Sequence, residues 1–238
     1  KAVKAVAITG MGVVSPLGSD IQTFWDNLLL GKSGISHVQE FSDLPVTFGG
    51  KASGFDPERH LGGKELRHMD RYAQMELFAC LDACAQARLT PEACAPYRLG
   101  VLIGSGAGGI GTLEEQMSVF FSRGARRLSP VTVPMFITNV GPAECAKRIG
   151  AKGPGFSVSS ACATAGHALA IAARIIQAGD ADCMVAGGVE ACLTPFALSA
   201  FASMRALSTR NDDPQGASRP FSADRDGFVM AEGGGVFV

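Results

Sequence analysis

One short segment concentrates the chemistry of this sequence: Val158-Ser159-Ser160-Ala161-Cys162-Ala163-Thr164-Ala165-Gly166-His167. An apolar strand turns directly into a helix of small residues, with a single cysteine at the turn. A thiol there faces the unpaired N–H groups of a first helical turn and the positive end of the helix dipole. Both favour the thiolate, the form in which cysteine attacks a carbonyl. The same N–H groups can steady the oxyanion that forms when a thioester is attacked. Ala163, Ala165 and Gly166 let the helix pack closely, which predicts a nucleophile buried at the bottom of a pocket. The local pattern admits a second reading, a small core residue, because free cysteine is among the most buried residue types.

No obvious base accompanies this thiol. His167 lies five residues on, about 500° around a helix of 3.6 residues per turn, so it points well away from Cys162 and reads as a packing or interface residue. His37 and His60 fall in a loop-rich stretch, and no histidine has metal-ligand spacing, so neither a metal nor another cofactor is expected. Cys80 and Cys84 share a helix face and read as core, Cys183 and Cys192 flank a strand, and Cys94 and Cys145 have no catalytic context. Gly104-Ser105-Gly106-Ala107-Gly108-Gly109 matches the G-x-G-x-x-G pattern of dinucleotide sites. About twenty residues on, however, the chain reads Gly124-Ala125-Arg126-Arg127-Leu128, with no strand ending in an acidic residue to hold a ribose. These glycines read instead as a close approach of backbone to an acyl chain or a neighbouring subunit.

The elements that must position these residues alternate in the manner of an α/β protein. Strands are predicted near Ala2–Thr9, Arg98–Ile103, Phe156–Ser160 and Met184–Gly187, with a hairpin over Asp226–Val238. Helices are predicted near Asp20–Leu30, Asp70–Arg88, 112–123, 132–148, from Cys162 onward, and 195–203. Residues 32–62, rich in Gly, Pro, Ser and Asp, read as a long surface excursion. The 238 residues suffice for one large domain, and 47% hydrophobic against 18% charged residues predicts a large core with surface left for a partner chain. A net charge of −1 gives no reason to expect nucleic acid. No run reaches the roughly 18 consecutive apolar residues of a membrane span. Seven cysteines without regular spacing suit a reduced, intracellular protein, so the cytoplasm is the expected location. The closing segment, Phe228 to Val238, stops on an apolar run that reads as an unfinished strand and predicts a piece of something longer.

Five segments together carry a family resemblance. The Cys162 segment, Asp182-Cys183-Met184-Val185-Ala186-Gly187-Gly188-Val189-Glu190, Met204-Arg205-Ala206-Leu207-Ser208-Thr209-Arg210-Asn211, Arg219 to Met230, and the opening Ile8 to Gly18 resemble the β-ketoacyl-[acyl carrier protein] synthases of the elongating class. The resemblance implies a thiolase-like α/β fold, with residues 1–238 as the N-terminal half of an αβαβα layered core built on a mixed five-stranded sheet. It implies Cys162 as the acyl acceptor, acyl carrier protein as partner, a homodimer, and two histidines and a lysine supplied by a C-terminal half that this sequence lacks. Ala107 and Phe201 match positions lining the acyl pocket, where Ala107 replaces a larger residue. Phe201 also admits a plain core role. Lys64, Arg67, Arg126, Arg127 and Arg205 match a basic patch that docks the acidic carrier, and otherwise read as an ordinary solvated face. His68 stands where the family often has lysine, which predicts carrier docking that weakens as pH rises. Ala231 stands where the family usually has glycine.

Relatives with other activities remain open. Degradative thiolases and initiating synthases share the cysteine but differ in the surrounding motifs, and a chain-length-factor subunit lacks the cysteine. A polyketide ketosynthase and a non-catalytic binding module are the readings to be discriminated.

Overall fold

A computed structural model of the chain describes residues 5–238. Strand β1 spans Met11–Val14, helix α1 Ile21–Leu29, β2 Ser36–His37, β3 Phe48–Gly49, α2 Gly63–Leu66 and α3 Arg71–Gln86. They are followed by β4 (Leu99–Gly104), α4 (Ile110–Arg123), α5 (Thr132–Phe136), α6 (Val140–Ile149) and β5 (Gly155–Phe156). The chain closes with α7 (Thr164–Ala178), β6 (Cys183–Glu190), α8 (Pro195–Ser203) and β7 (Gly233–Phe237). Five strands form one mixed sheet in the order β1-β7-β6-β4-β5, as expected of the α/β class. β4 runs parallel to β5 and β6, whereas β7 is antiparallel to both of its neighbours.

The two-residue alternation of β4 and β6 sorts side chains onto opposite faces. Leu99, Val101 and Ile103 join Val185, Val189 and Val236 in a core with α3 and α6. Leu102, Met184 and Ala186 turn the other way, onto Ala168 and Ala172 of α7. The chain is thus a three-layer αβα unit. Ten of the sixteen residues of α3 are buried, because it is wedged between the sheet and α6. Asp70 starts α3 by accepting the N–H of Tyr72. β1 lies so close to α3 that a Cβ on Gly12 would stand 1.9 Å from the Ala79 carbonyl oxygen.

α7 differs from α3. Only Thr164, Ala168 and Ala172 are buried in it, and Gly179 at φ +89° ends it. By length and hydropathy, residues 161–178 could cross a membrane. Here the helix lies instead across the sheet, seated through Ala168 and Ala172.

Four expected elements change shape. Among the described residues the first strand begins at Met11, later than the expected Ala2–Thr9. Met11 stands opposite Phe237 in the ladder with β7. Thr9 and Gly10 both donate to the Val238 carbonyl, while Val6 and Ile8 stay exposed. Ala2 to Lys4 lie outside the described residues. The helix expected over 132–148 breaks between α5 and α6, because neighbouring groups take its carbonyls. Gly109 N–H donates to Phe136 O at 3.0 Å, and Tyr72 Oη donates to Ile137 O at 2.6 Å. Pro142 has no N–H with which to mend the ladder. The Asp226–Val238 hairpin is a single strand, β7, because Phe228 pairs with Leu207 and Ala231 with Gly50 instead. The strand expected over Phe156–Ser160 is confined to Gly155–Phe156, and the surface excursion 32–62 holds the small β2–β3 pair.

Candidate active site

Between β5 and α7 the chain makes a sharp elbow. Ala161 sits at φ +50°, a left-handed conformation that costs a residue with a Cβ on the order of 1–2 kcal/mol. A 3-10 turn over Ala161–Ala163 follows and runs straight into α7, so Cys162 stands at the head of that helix. The elbow needs two glycines beneath it. A Cβ on Gly104 would stand 2.3 Å from the Thr164 methyl, and one on Gly188 would stand 2.7 Å from the Ala165 Cβ. Ser160 Oγ and His167 Nδ1 pair at 2.6 Å, which turns His167 along the outer surface, away from the pocket as its spacing predicts.

Cys162 is exposed, contrary to the expected burial, and is the single exposed cysteine of the seven. The outer face of α7 has no cover in this chain, so the elbow opens to solvent. Burial pushes the Cys183 and Cys192 thiols up to about 11. Cys145 is raised by burial, and Cys80 and Cys84 are raised chiefly through the thiol hydrogen bonds Cys80–Cys145 and Cys80–Cys84 respectively. These five are held as thiols at neutral pH; Cys80, Cys84 and Cys145 are buried and Cys183 and Cys192 partly so.

Cys162 opens onto a largely apolar cavity of about 610 Å³, which is also lined by Ala107, Ile110, Glu190, Cys192 and Phe201. The structure therefore brings together the three expected site residues Cys162, Ala107 and Phe201. Phe201 lines this cavity and also packs edge-on to Phe228 with ring centroids 5.5 Å apart. The five basic residues lie elsewhere. Lys64 and Arg67 belong to the α2 turn, Arg126 and Arg127 to the turn after α4, and Arg205 follows α8 in a left-handed conformation. All five are exposed.

Glu190, at the end of β6, was not singled out by sequence. Its carboxylate accepts Gly106 N–H at 2.9 Å, Ser105 Oγ–H at 3.0 Å and Ala107 N–H at 3.3 Å. The N–H groups that a dinucleotide phosphate would need are thus already neutralised by a residue of the same chain. That explains why a G-x-G-x-x-G match here is no nucleotide site. Asp70 fixes the far end of the same turn by accepting Thr112 N–H at 2.8 Å and its hydroxyl at 2.7 Å. The signal in sequence was the glycine turn itself, whose donors require an acceptor; the spacing does not say which acidic residue supplies it. Among the residues lining the cavity Glu190 is the single carboxylate, and none is a histidine or a lysine.

Residues 3–238 match the family model described as the β-ketoacyl synthase N-terminal domain. The chain belongs to the β-ketoacyl synthase family. It is 42% identical over 237 residues to a 3-oxoacyl-[acyl-carrier-protein] synthase 2 of Synechocystis sp., covering 99% of this chain and 57% of that protein. It is 43% identical to the chloroplastic 3-oxoacyl-[acyl-carrier-protein] synthase I of Arabidopsis thaliana, covering 99% of this chain and 51% of that one. The chain thus spans about half the length of these synthases. Among solved structures it resembles a β-ketoacyl synthase from Burkholderia phymatum with TM-score 0.87 at 28% identity, over 97% of this chain and 57% of that one. It also resembles a type II polyketide ketosynthase solved with its acyl-carrier protein, with TM-score 0.88 at 30% identity, over 99% and 58%. The thiolase-like fold expected from the sequence motifs is the fold found, with its mixed five-stranded sheet.

Proposed function

We propose that this synthase chain is the nucleophile-bearing half of an elongating β-ketoacyl-[acyl carrier protein] synthase, with Cys162 as the acyl acceptor. The observation that carries this reading is the placement of the single exposed thiol on a strained elbow, at a helix N-terminus, facing an apolar cavity. The Cys162 sulfur attacks the carbonyl of an acyl thioester. The new C–S bond gives a tetrahedral oxyanion; its collapse breaks the bond to the carrier's thiol, which leaves with the proton Cys162 gives up. The N–H groups of Ala163 and Thr164 are taken by the Ser160 and Ala161 carbonyls, so the Cys162 N–H and the positive end of α7 are what steady the oxyanion between the two steps. The apolar wall formed by Ile110, Phe201 and the small Ala107 accommodates the acyl chain. The absence of histidine and lysine from the cavity wall suits a division of labour in which a second half supports decarboxylation of malonyl carrier protein.

The carrier protein is the proposed partner, docking on Lys64, Arg67, Arg126, Arg127 and Arg205. Their exposure supports this, as does the related ketosynthase solved with its acyl-carrier protein. A homodimer is proposed through β5, which is the sheet's edge strand and leaves Phe156 exposed. Seven free cysteines suit a reducing compartment, and the cytoplasm is the proposed location. A polyketide ketosynthase is the second reading, favoured by the likeness to the type II complex.

The test is incubation with a fatty acyl carrier protein, followed by intact mass and peptide mapping. The expected result is one acyl adduct, on Cys162, absent from Cys162→Ala. An adduct elsewhere, or none in the polypeptide with its second half present, would falsify the assignment. The 238-residue chain alone is expected to give no ketoacyl product from malonyl carrier protein.

A further inference from the structure

The Thr164 side chain makes two hydrogen bonds across the strained residue of the elbow. Its hydroxyl accepts the Ser160 N–H at 2.8 Å on one side of Ala161, and donates to the Ala161 carbonyl at 2.7 Å on the other. Its methyl is pressed onto Gly104, and the residue is 5% exposed. A left-handed alanine relaxes toward ordinary backbone unless its neighbours hold it. Here the Ser159–Ser160 peptide and the Ala161–Cys162 peptide, which bracket Ser160 and Ala161, are tied to one oxygen atom, whose carbon skeleton is in turn clamped by β4. Relaxation of Ala161 would break both bonds and swing the following residue, Cys162, off the cavity.

The geometry points to Thr164 as a positioning residue for the nucleophile: its hydroxyl holds Ala161 left-handed, and through Ala161 it sets where the Cys162 sulfur stands. This rests on the reading of Cys162 as the acyl acceptor. Thr164 also lines the cavity, but in this role its hydroxyl is spent on the backbone of Ser160 and Ala161, and its effect is on geometry alone. The hydroxyl is the operative part, so serine replaces it and valine, of the same shape, does not.

The experiment measures the rate of Cys162 acylation by acyl carrier protein in the intact polypeptide that carries this chain. Four variants are compared with wild type: Thr164→Val, Thr164→Ser, Ala161→Gly, and Ala161→Gly combined with Thr164→Val. Thr164→Val is expected to acylate ~10- to 100-fold more slowly, the scale of a misplaced reacting group. Thr164→Ser stays close to wild type. The double variant recovers most of the lost rate, because glycine takes the left-handed conformation at no steric cost and needs no lock. Loss of packing or an unpaired backbone group would slow Thr164→Val too, but glycine at 161 repairs neither, so the rescue isolates positioning. Acylation of Thr164→Val at the wild-type rate overturns the proposal, and so does a slow variant that glycine fails to rescue. Failure of the wild type to acquire an adduct overturns the functional reading instead. A crystal structure of Thr164→Val then decides the lock by itself: Ala161 still at positive φ overturns it, and Ala161 relaxed supports it.

Discussion

The two faces of the sheet are built to different ends. On the α3 and α6 side, large side chains fill the layer: Tyr72, Met75, Leu77 and Phe78 are all within 1% of complete burial. On the α7 side the contact is made by Ala168 and Ala172, and the helix's outer surface stays open. Large residues bury more area per contact and give that layer most of its stabilisation. Small residues let α7 approach closely enough that its head, and Cys162 with it, sits on the sheet's C-terminal edge. The closed face holds the fold, and the open face presents Cys162 and the cavity beside it.

The sharpest way to break this contrast is to damage the closed face and read the open one. Phe78 packs edge-on to Phe55 at 5.1 Å, and the Arg59 guanidinium lies 4.1 Å from its ring centre. Phe78→Ala is expected to cost about 3–5 kcal/mol in denaturant unfolding. In the fraction that stays folded, Cys162 should acylate at the wild-type rate. A large rate loss in folded protein would mean that the faces are not separable.

The reverse experiment strikes the open face. A Cβ at position 188 meets the Cα and Cβ of Ala165 at 3.0 and 2.7 Å, and backbone cannot yield as a flexible side chain can. Gly188→Ala should therefore destabilise by only about 1–3 kcal/mol, the usual range for overpacking. It should slow acylation far more than that stability loss explains, because the first turn of α7 is what moves. Equal, small effects on both readouts would show that the elbow tolerates displacement.

Much of this division was legible in the sequence. The strand-to-helix turn, its lone cysteine and the small residues after it located the elbow, and the family motifs placed Ala107 and Phe201 beside it. The helix expected over Asp70–Arg88 is found as α3, and Cys80 and Cys84 lie in the core as their shared face implied. What stayed hidden depended on partners distant in sequence. Glu190 meets Ser105 across 85 positions, and Tyr72 takes the Ile137 carbonyl across 65. Local pattern extended one helix through residues 137–139, where a tertiary hydrogen bond ends it. Exposure of Cys162 was likewise invisible, since a run of small residues reads as tight packing whether or not a second layer is present.

The closed face has one irregularity, and it yields the gentlest test of the comparison. Glu76 on α3 is fully buried, and neither carboxylate oxygen has a hydrogen-bond partner. It is packed against Gly141 of α6, and Tyr72, Cys80 and Cys145 are the titratable groups that interact with it. Burial raises its acid well above the ordinary carboxylate value. A carboxyl raised on folding contributes stability that is intact below its unfolded value, about 4.3, and is lost as pH rises toward the folded value. Across that window the fold should weaken by about 1.4 kcal/mol per pH unit through this one group. Glu76→Gln removes the titration while keeping the shape. Melting temperatures from pH 5 to 8 should fall more steeply in wild type than in the variant, with the gap widening upward in pH. Parallel curves would mean that Glu76 finds a proton donor or water on folding, and that the closed face is wetter than its packing indicates.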